Sequence, residues 1–89
     1  MLSWEIIVHG RVQGVGFRSF SRACARRCGI TGYARNLYDG TVEIIACGSK
    51  ENLELFRDML NGGNGYIRVR RLDVSEVEST VEYNDFGIR

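Results

Sequence analysis

The spacing of apolar residues switches between two periods along this chain, and the order of the switches restricts the fold more than any other feature. Trp4 to His9 is apolar and rich in β-branched residues and ends at Gly10, which reads as a strand. Phe17, Phe20, Cys24 and Cys28 recur at helical spacing. They predict a helix over 17–28 with one buried stripe, and with Arg22 and Arg26 on its other face. Gly29 then stands where a left-handed C-terminal cap is wanted. Thr31 to Asn36 reads as a short strand, and NLYDG, 36–40, as a tight turn carrying the hairpin pair Asp39-Gly40. Val42, Ile44 and Ala46 alternate inward on a strand from Thr41 to Cys47. Ser49 is placed as an N-cap, with Glu51 in the first turn of a second helix whose apolar face is Leu53, Phe56 and Leu60. NGGNG, 61–65, ends it. Between 66 and 77 the apolar phase slips from odd positions (Ile67, Val69) to even ones (Leu72, Val74), which predicts a bulge near Arg70 and Arg71. A last short strand over 82–88 carries Phe86 and Ile88 on one face.

The order is β-α-β-β-α-β with one extra C-terminal strand. Its expected solution is an α+β, ferredoxin-like sandwich, two helices packed on one face of a mainly antiparallel sheet. Right-handed crossovers put the ends of the first two strands on the same edge, so the residues after Gly10 should neighbour Asn36. Residues 1–89 are expected to form a single domain. A chain this short buries about two-thirds of its unfolded surface and leaves little room for an enclosed active site. No apolar run approaches the roughly 18 residues of a membrane span. The N-terminal segment has Glu5 inside its apolar stretch and no basic lead, unlike a signal peptide. Three cysteines, Cys24, Cys28 and Cys47, are an odd set that suits reduced thiols in the cytoplasm.

Charge is divided unevenly. Residues 1–36 hold six arginines against Glu5 alone, whereas 37–89 hold six basic and ten acidic side chains. The basic half contains GRVQGVGFR, 10–18. Glycine costs about 0.5–1 kcal/mol inside a regular element, so its concentration here implies a task for the backbone. The stretch lies between a strand and a helix N-terminus, where unpaired N–H groups and the positive end of the helix dipole favour a phosphate. Glycines let consecutive N–H groups turn inward as a nest, and Arg18 can add a forked guanidinium. No Gly-Lys-Ser/Thr closes the loop, and after Gly14-Val15-Gly16 the third glycine of a dinucleotide fingerprint is missing. Glycine pattern alone leaves two readings open: a phosphate cradle, or a loop kept tight for packing with Arg18 solvated.

GRVQGVGFR followed by GYARNLYDGTVEI, 32–44, resembles the acylphosphatase family in two motifs, in order and at the expected separation, and the likeness covers essentially the whole chain. In that family the first motif binds phosphate and the second supplies an asparagine. The resemblance implies hydrolysis of the carboxyl-phosphate bond of a small-molecule acyl phosphate to a carboxylate and inorganic phosphate. It implies Arg18 and Asn36 as catalytic residues, and Gln13, Gly14, Val15, Gly16 and Phe17 with Arg18 as the phosphate-binding loop. It further implies no cofactor, no metal, no nucleic-acid or membrane partner, and a cytoplasmic monomer.

The chemistry fits these residue types. The leaving group is a carboxylate with a pKa of about 4, so it departs at neutral pH without a general acid. The phosphoryl transition state is loose, and catalysis is mostly positioning and charge stabilisation. Loop N–H groups, the Arg18 guanidinium and an Asn36 carboxamide that orients a water supply those parts. A two-metal phosphatase needs clustered carboxylates and histidines, yet residues 1–38 hold one acid and one histidine. A cysteine-dependent phosphatase needs a thiolate in its phosphate loop, and 10–18 contain no cysteine.

Other candidates have blander readings. His9 on the first strand reads as a packing or surface residue. Cys24 and Cys28 are four residues apart on a helix but fall on the apolar stripe, without a third or fourth metal ligand. Cys47 ends an alternating strand, where it can be exposed and open to oxidation. Arg11 either tunes the loop's potential or is solvated, and Arg35 alternates away from Asn36 to the surface. RVRR, 68–71, reads as a solvated face with Asp73 and Glu76 nearby. Two non-catalytic alternatives stand beside the enzyme. An RNA-binding ferredoxin-like module lacks support because its aromatic-rich signature is absent. A regulatory module binding an anion would keep the loop and Arg18 and have no need of Asn36.

Overall fold

In the computed structural model of the chain, which describes residues 1–79 and 81–89, the first apolar segment forms strand β1 (Leu2–Arg11). Trp4, Ile6 and Val8 point alternately into the core. Helix α1 (Phe17–Cys28) follows, closed by Gly29 in the left-handed conformation with its N–H on the Ala25 carbonyl. Then come β2 (Thr31–Asn36), β3 (Val42–Gly48), α2 (Lys50–Gly62), β4 (Arg68–Val77) and β5 (Phe86–Ile88). The five strands form one sheet in the order β4-β1-β3-β2-β5. Neighbours are antiparallel except β2 and β5, which run parallel. The sheet is therefore mixed, and both helices lie on one of its faces. This is the ferredoxin-like α+β sandwich that the residue pattern predicts, with the extra strand now placed at the edge beside β2.

The core forms between that face and the helices. Phe17, Phe56, Phe86, Ile6, Ile44, Leu53 and Leu60 are each less than 2% exposed. Burying one such side chain stabilises by about 1.5–3 kcal/mol. The Phe56 and Phe86 rings meet edge to face at 5.9 Å, which ties β5 to α2. Ser49 caps α2 as expected, its side chain accepting from the Asn52 N–H at 3.1 Å. On β4, His9 pairs with Arg71 and Gly10 with Val69, so Arg70 is the extra residue of the predicted bulge.

Four local expectations are corrected. The last strand spans Phe86–Ile88 rather than 82–88, because β5 pairs with β2 only from Gly32 to Ala34. Strand β4 begins at Arg68 rather than at residue 66 and leaves Tyr66 exposed, and Val74 is 38% exposed on this edge strand. The buried stripe of α1 is Phe17, Ser21, Cys24, Ala25 and Cys28, with Phe20 only half-buried. Ser21 enters the core because its hydroxyl donates to the Phe17 carbonyl at 2.8 Å, which removes the cost of an unpaired polar group. Finally, Cys47 is buried, beside Ser3 Oγ at 3.2 Å, in a hollow also walled by Thr31, Val81 and Tyr83.

Candidate active site

The two helices differ at their N-termini. Helix α2 carries a side-chain cap from Ser49 and an acid, Glu51, in its first turn. Helix α1 has neither: Gly16 occupies its N-cap with no side-chain hydrogen bond, and its first turn holds no acid. Its first helical bond runs from the Phe20 N–H to the Gly16 carbonyl at 3.0 Å. The N–H groups before Phe20 are the orphan donors every helix start leaves, and here no side chain claims them. Gly14 and Gly16 both have positive φ, 74° and 81°, and a Cβ at either would meet nothing within 4 Å. Glycine is needed there for backbone direction rather than for space.

These groups border a cleft of about 120 Å³ lined by Val12, Gly14, Gly16, Phe17, Arg18, Ser19, Asn36 and Ile88. That is several times the roughly 10–15 Å³ one water needs and well below the roughly 300 Å³ of the smallest drug-sized pockets. Such a cleft holds one small group and leaves the rest of a ligand in solvent. Antiparallel pairing of β3 with both β1 and β2 brings the end of β2 to the glycine loop, so Arg18 and Asn36 share this cleft although they are far apart in the chain.

The Arg18 guanidinium donates through Nη1 to the main-chain oxygen of Arg89 at 3.0 Å and pairs with no Asp or Glu side chain among the described residues. Arg89 is itself held in place. Its N–H donates to the Ala34 carbonyl at 2.9 Å, and its guanidinium lies 4.1 Å from the centre of the Tyr33 ring. The side-chain oxygen of Asn36 is buried and has no hydrogen-bond partner among the described residues. An unpaired buried carbonyl costs about 1–3 kcal/mol, and function is where such a cost is commonly kept.

The side chain of Gln13 leaves the loop. Its amide nitrogen donates to the carbonyls of Leu37 and Thr41, at 2.7 and 2.8 Å, so the side chain is not free to reach a ligand in the cleft. Ile88 and Arg89, from the C-terminal strand and the residue after it, join the site with no spacing in the chain that points to them. Nearby ionisable groups lie outside the cleft. His9 Nε2 sits 2.9 Å from Asp73 Oδ2, and Arg35 pairs with Glu43 at 2.9 Å. Arg71 contacts Asp73 at 3.0 Å, as the solvated-face reading of 68–71 requires. Burial raises the Cys24 and Cys28 thiols, consistent with packing on the stripe. Hydrogen bonds from the Thr41 hydroxyl and N–H hold the Asp39 carboxyl below its ordinary range, which fixes the turn after Asn36.

Against known proteins, the family profile described as acylphosphatase matches residues 4–88. A protein named acylphosphatase from Dehalococcoides mccartyi is 44% identical over 84 residues, 93% of this chain and 92% of that one. Another of that name from Cupriavidus pinatubonensis is 38% identical over 89 residues, covering 100% of this chain and 97% of its own. The crystal structure of acylphosphatase from Bacillus subtilis superposes with a TM-score of 0.94 at 38% identity, covering 100% of this chain and 99% of that one.

Proposed function

The chain belongs to the acylphosphatase family, and from that premise we propose that it hydrolyses acyl phosphates by a water held at Asn36, with the phosphoryl group held by the 13–18 loop and Arg18. The observation that carries this reading is the pairing of an uncapped helix start with an asparagine whose side-chain oxygen has no partner among the described residues, across one small cleft. Main-chain N–H groups of Gly14 to Arg18 and the guanidinium receive the three phosphoryl oxygens, and charge spreads onto these donors as the bond to the carboxylate lengthens. The Asn36 amide turns about a broad, two-fold torsion, so its oxygen can face the cleft and accept from a water. That water attacks phosphorus in line. The phosphorus–oxygen bond to the acyl group breaks, its electron pair stays on the carboxylate, and the water's protons leave on the product phosphate. Neither a protein acid nor a phosphoenzyme is needed.

The test is a hydrolysis assay on a simple acyl phosphate. Turnover should give one carboxylate and one phosphate, and should persist in EDTA, because among the described residues no three of His, Cys, Asp and Glu come together to hold a metal. Loss in EDTA with recovery on adding a divalent ion would overturn the water–asparagine mechanism. Absence of turnover with tight phosphate binding would instead favour a non-catalytic anion module.

The rate should also be flat from about pH 5.5 to 8. Asp39 is lowered by Thr41, and Asp85 by the Arg26 guanidinium 2.8 Å away. Because these carboxyls are depressed in the folded protein, their stabilisation is fully present above the ordinary carboxylate range. It is lost only as pH falls through their lowered values. The buried thiols move the other way, further above neutrality. A pH–rate profile of His9→Gln should superpose on the wild type. A step near neutrality that disappears in this variant would place His9 in the mechanism.

A further inference from the structure

Gln13 stands in the middle of the glycine loop, yet its side chain grips a different segment. The turn after Asn36 is closed by the Leu37 N–H on the Thr41 carbonyl at 2.9 Å and by the Gly40 N–H on the Leu37 carbonyl at 3.2 Å. The Gln13 amide donates to those same two carbonyls. Each carbonyl has two lone pairs, so both bonds add to the turn without displacing its own. With two carbonyl partners, only the NH₂ end of the amide can occupy this place. Among the described residues no other side chain bridges 10–16 to 36–41 by a hydrogen bond. The bonds are short and partly buried, where a lost donor is felt most.

We infer that Gln13 is a positioning residue, which ties the turn bearing Asn36 to the phosphate loop and so sets the distance between the held water and the held phosphorus. The inference rests on Asn36 orienting the attacking water. Asn36 is one peptide bond from Leu37, and its side-chain oxygen has no hydrogen-bond partner among the described residues that would fix it. The turn has its own internal brace, Asp39 on Thr41 at 2.6 and 3.0 Å, so it persists without Gln13 but is free to shift relative to the loop. The requirement is two hydrogens on one neutral atom at this reach. A carboxylate offers none and repels both carbonyls, whereas a protonated carboxyl offers one.

Gln13→Glu therefore gives a readout that a merely structural role would not. Its carboxyl faces two acceptors, which favour the neutral form and raise its pKa. The kcat of this variant should fall as pH rises from 5.5 to 8, by about 10–100-fold at the upper end, the scale of a ~1 Å misplacement. The wild type should stay flat over the same range. Gln13→Met keeps the length and has no donors, so its kcat should be low at every pH. In Gln13→Met at every pH, and in Gln13→Glu at pH 5.5 where its carboxyl is neutral, KM and the inhibition constant of inorganic phosphate should stay within about threefold of wild type, since the loop N–H groups and Arg18 are untouched. Cooperative thermal unfolding with intact phosphate inhibition verifies the fold, and Gln13→Met serves if Gln13→Glu unfolds at pH 8. Near-wild-type kcat in Gln13→Met, or a flat profile in a folded Gln13→Glu, would overturn the positioning role while Asn36→Ala remains inactive. Equal losses of phosphate binding and kcat in the uncharged Gln13→Met would also overturn it and make Gln13 a phosphate contact. Full activity in Asn36→Ala marks the separate failure of the water-positioning reading beneath it.

Discussion

Arg18→Ala should lower kcat/KM by about 10³-fold or more, the scale of arginines in other phosphoryl-transfer enzymes, and should abolish inhibition by inorganic phosphate. The loss corresponds to about 4 kcal/mol of transition-state stabilisation. Among the described residues lining the cleft, Arg18 is the one cationic side chain. It is half-buried, pairs with no Asp or Glu side chain among the described residues, and is steadied from one side by the main-chain oxygen of Arg89. A guanidinium held on one edge keeps its remaining donors aligned for two phosphoryl oxygens at once. Arg18→Lys should rescue little, because an ammonium is a point charge on a flexible stem and cannot reproduce the fork. Phosphate, the product, presents the same oxygens as the substrate and should inhibit the wild type competitively. Phosphate inhibition and turnover should disappear together in Arg18→Ala. A folded Arg18→Ala with kcat within tenfold of wild type would leave the loop N–H groups as the sole anion site.

What the chain reveals by inspection is what short-range chemistry encodes. The Ser49 cap, the Gly29 terminus and the hairpin at Asp39-Gly40 each depend on neighbours a few residues away, and the structure has them where the spacing puts them. Even the Arg70 bulge was legible, because one inserted residue inverts the apolar phase of everything after it. Contacts between distant segments left no such trace. Cys47 looks like a strand-end residue, yet it is buried with Ser3 Oγ at 3.2 Å, a contact between segments far apart in the chain. Phe20 has the larger apolar side chain, but Ser21 has the helical phase that faces the sheet, and its hydroxyl is satisfied within the helix. The cleft followed the same division. The glycine loop and Arg18 stand out as a motif, and crossover handedness brings Asn36 beside them. Ile88, Arg89 and the grip of Gln13 on the turn arise from strand order, which no local pattern states.

Asn36→Ala should turn over about 10²-fold or more slowly, a loss of the size that follows removal of one aligned polar group from a reacting centre. Inorganic phosphate should still bind nearly as it does to the wild type, because it needs no attacking water. Lower kcat with an intact ground state marks an interaction made for the chemical step. Stability separates this reading from a structural one. The Asn36 oxygen is buried and unpartnered, so its removal deletes no hydrogen bond of the folded protein. It also relieves part of a cost of about 1–3 kcal/mol. The backbone of Asn36 stays paired with Val42 across β2 and β3 whatever its side chain. Asn36→Ala should therefore melt at or above the wild-type temperature while losing turnover. Activity and stability moving in opposite directions is the mark of a group kept for function against the interest of the fold. Asn36→Asp sharpens the test. A carboxylate in the same cleft repels the phosphoryl group, so phosphate inhibition should weaken as well as kcat. If folded Asn36→Ala retains full kcat, no water is held there, and the cleft is an anion site whose hydrolysis, if any, is driven by the loop and Arg18 alone.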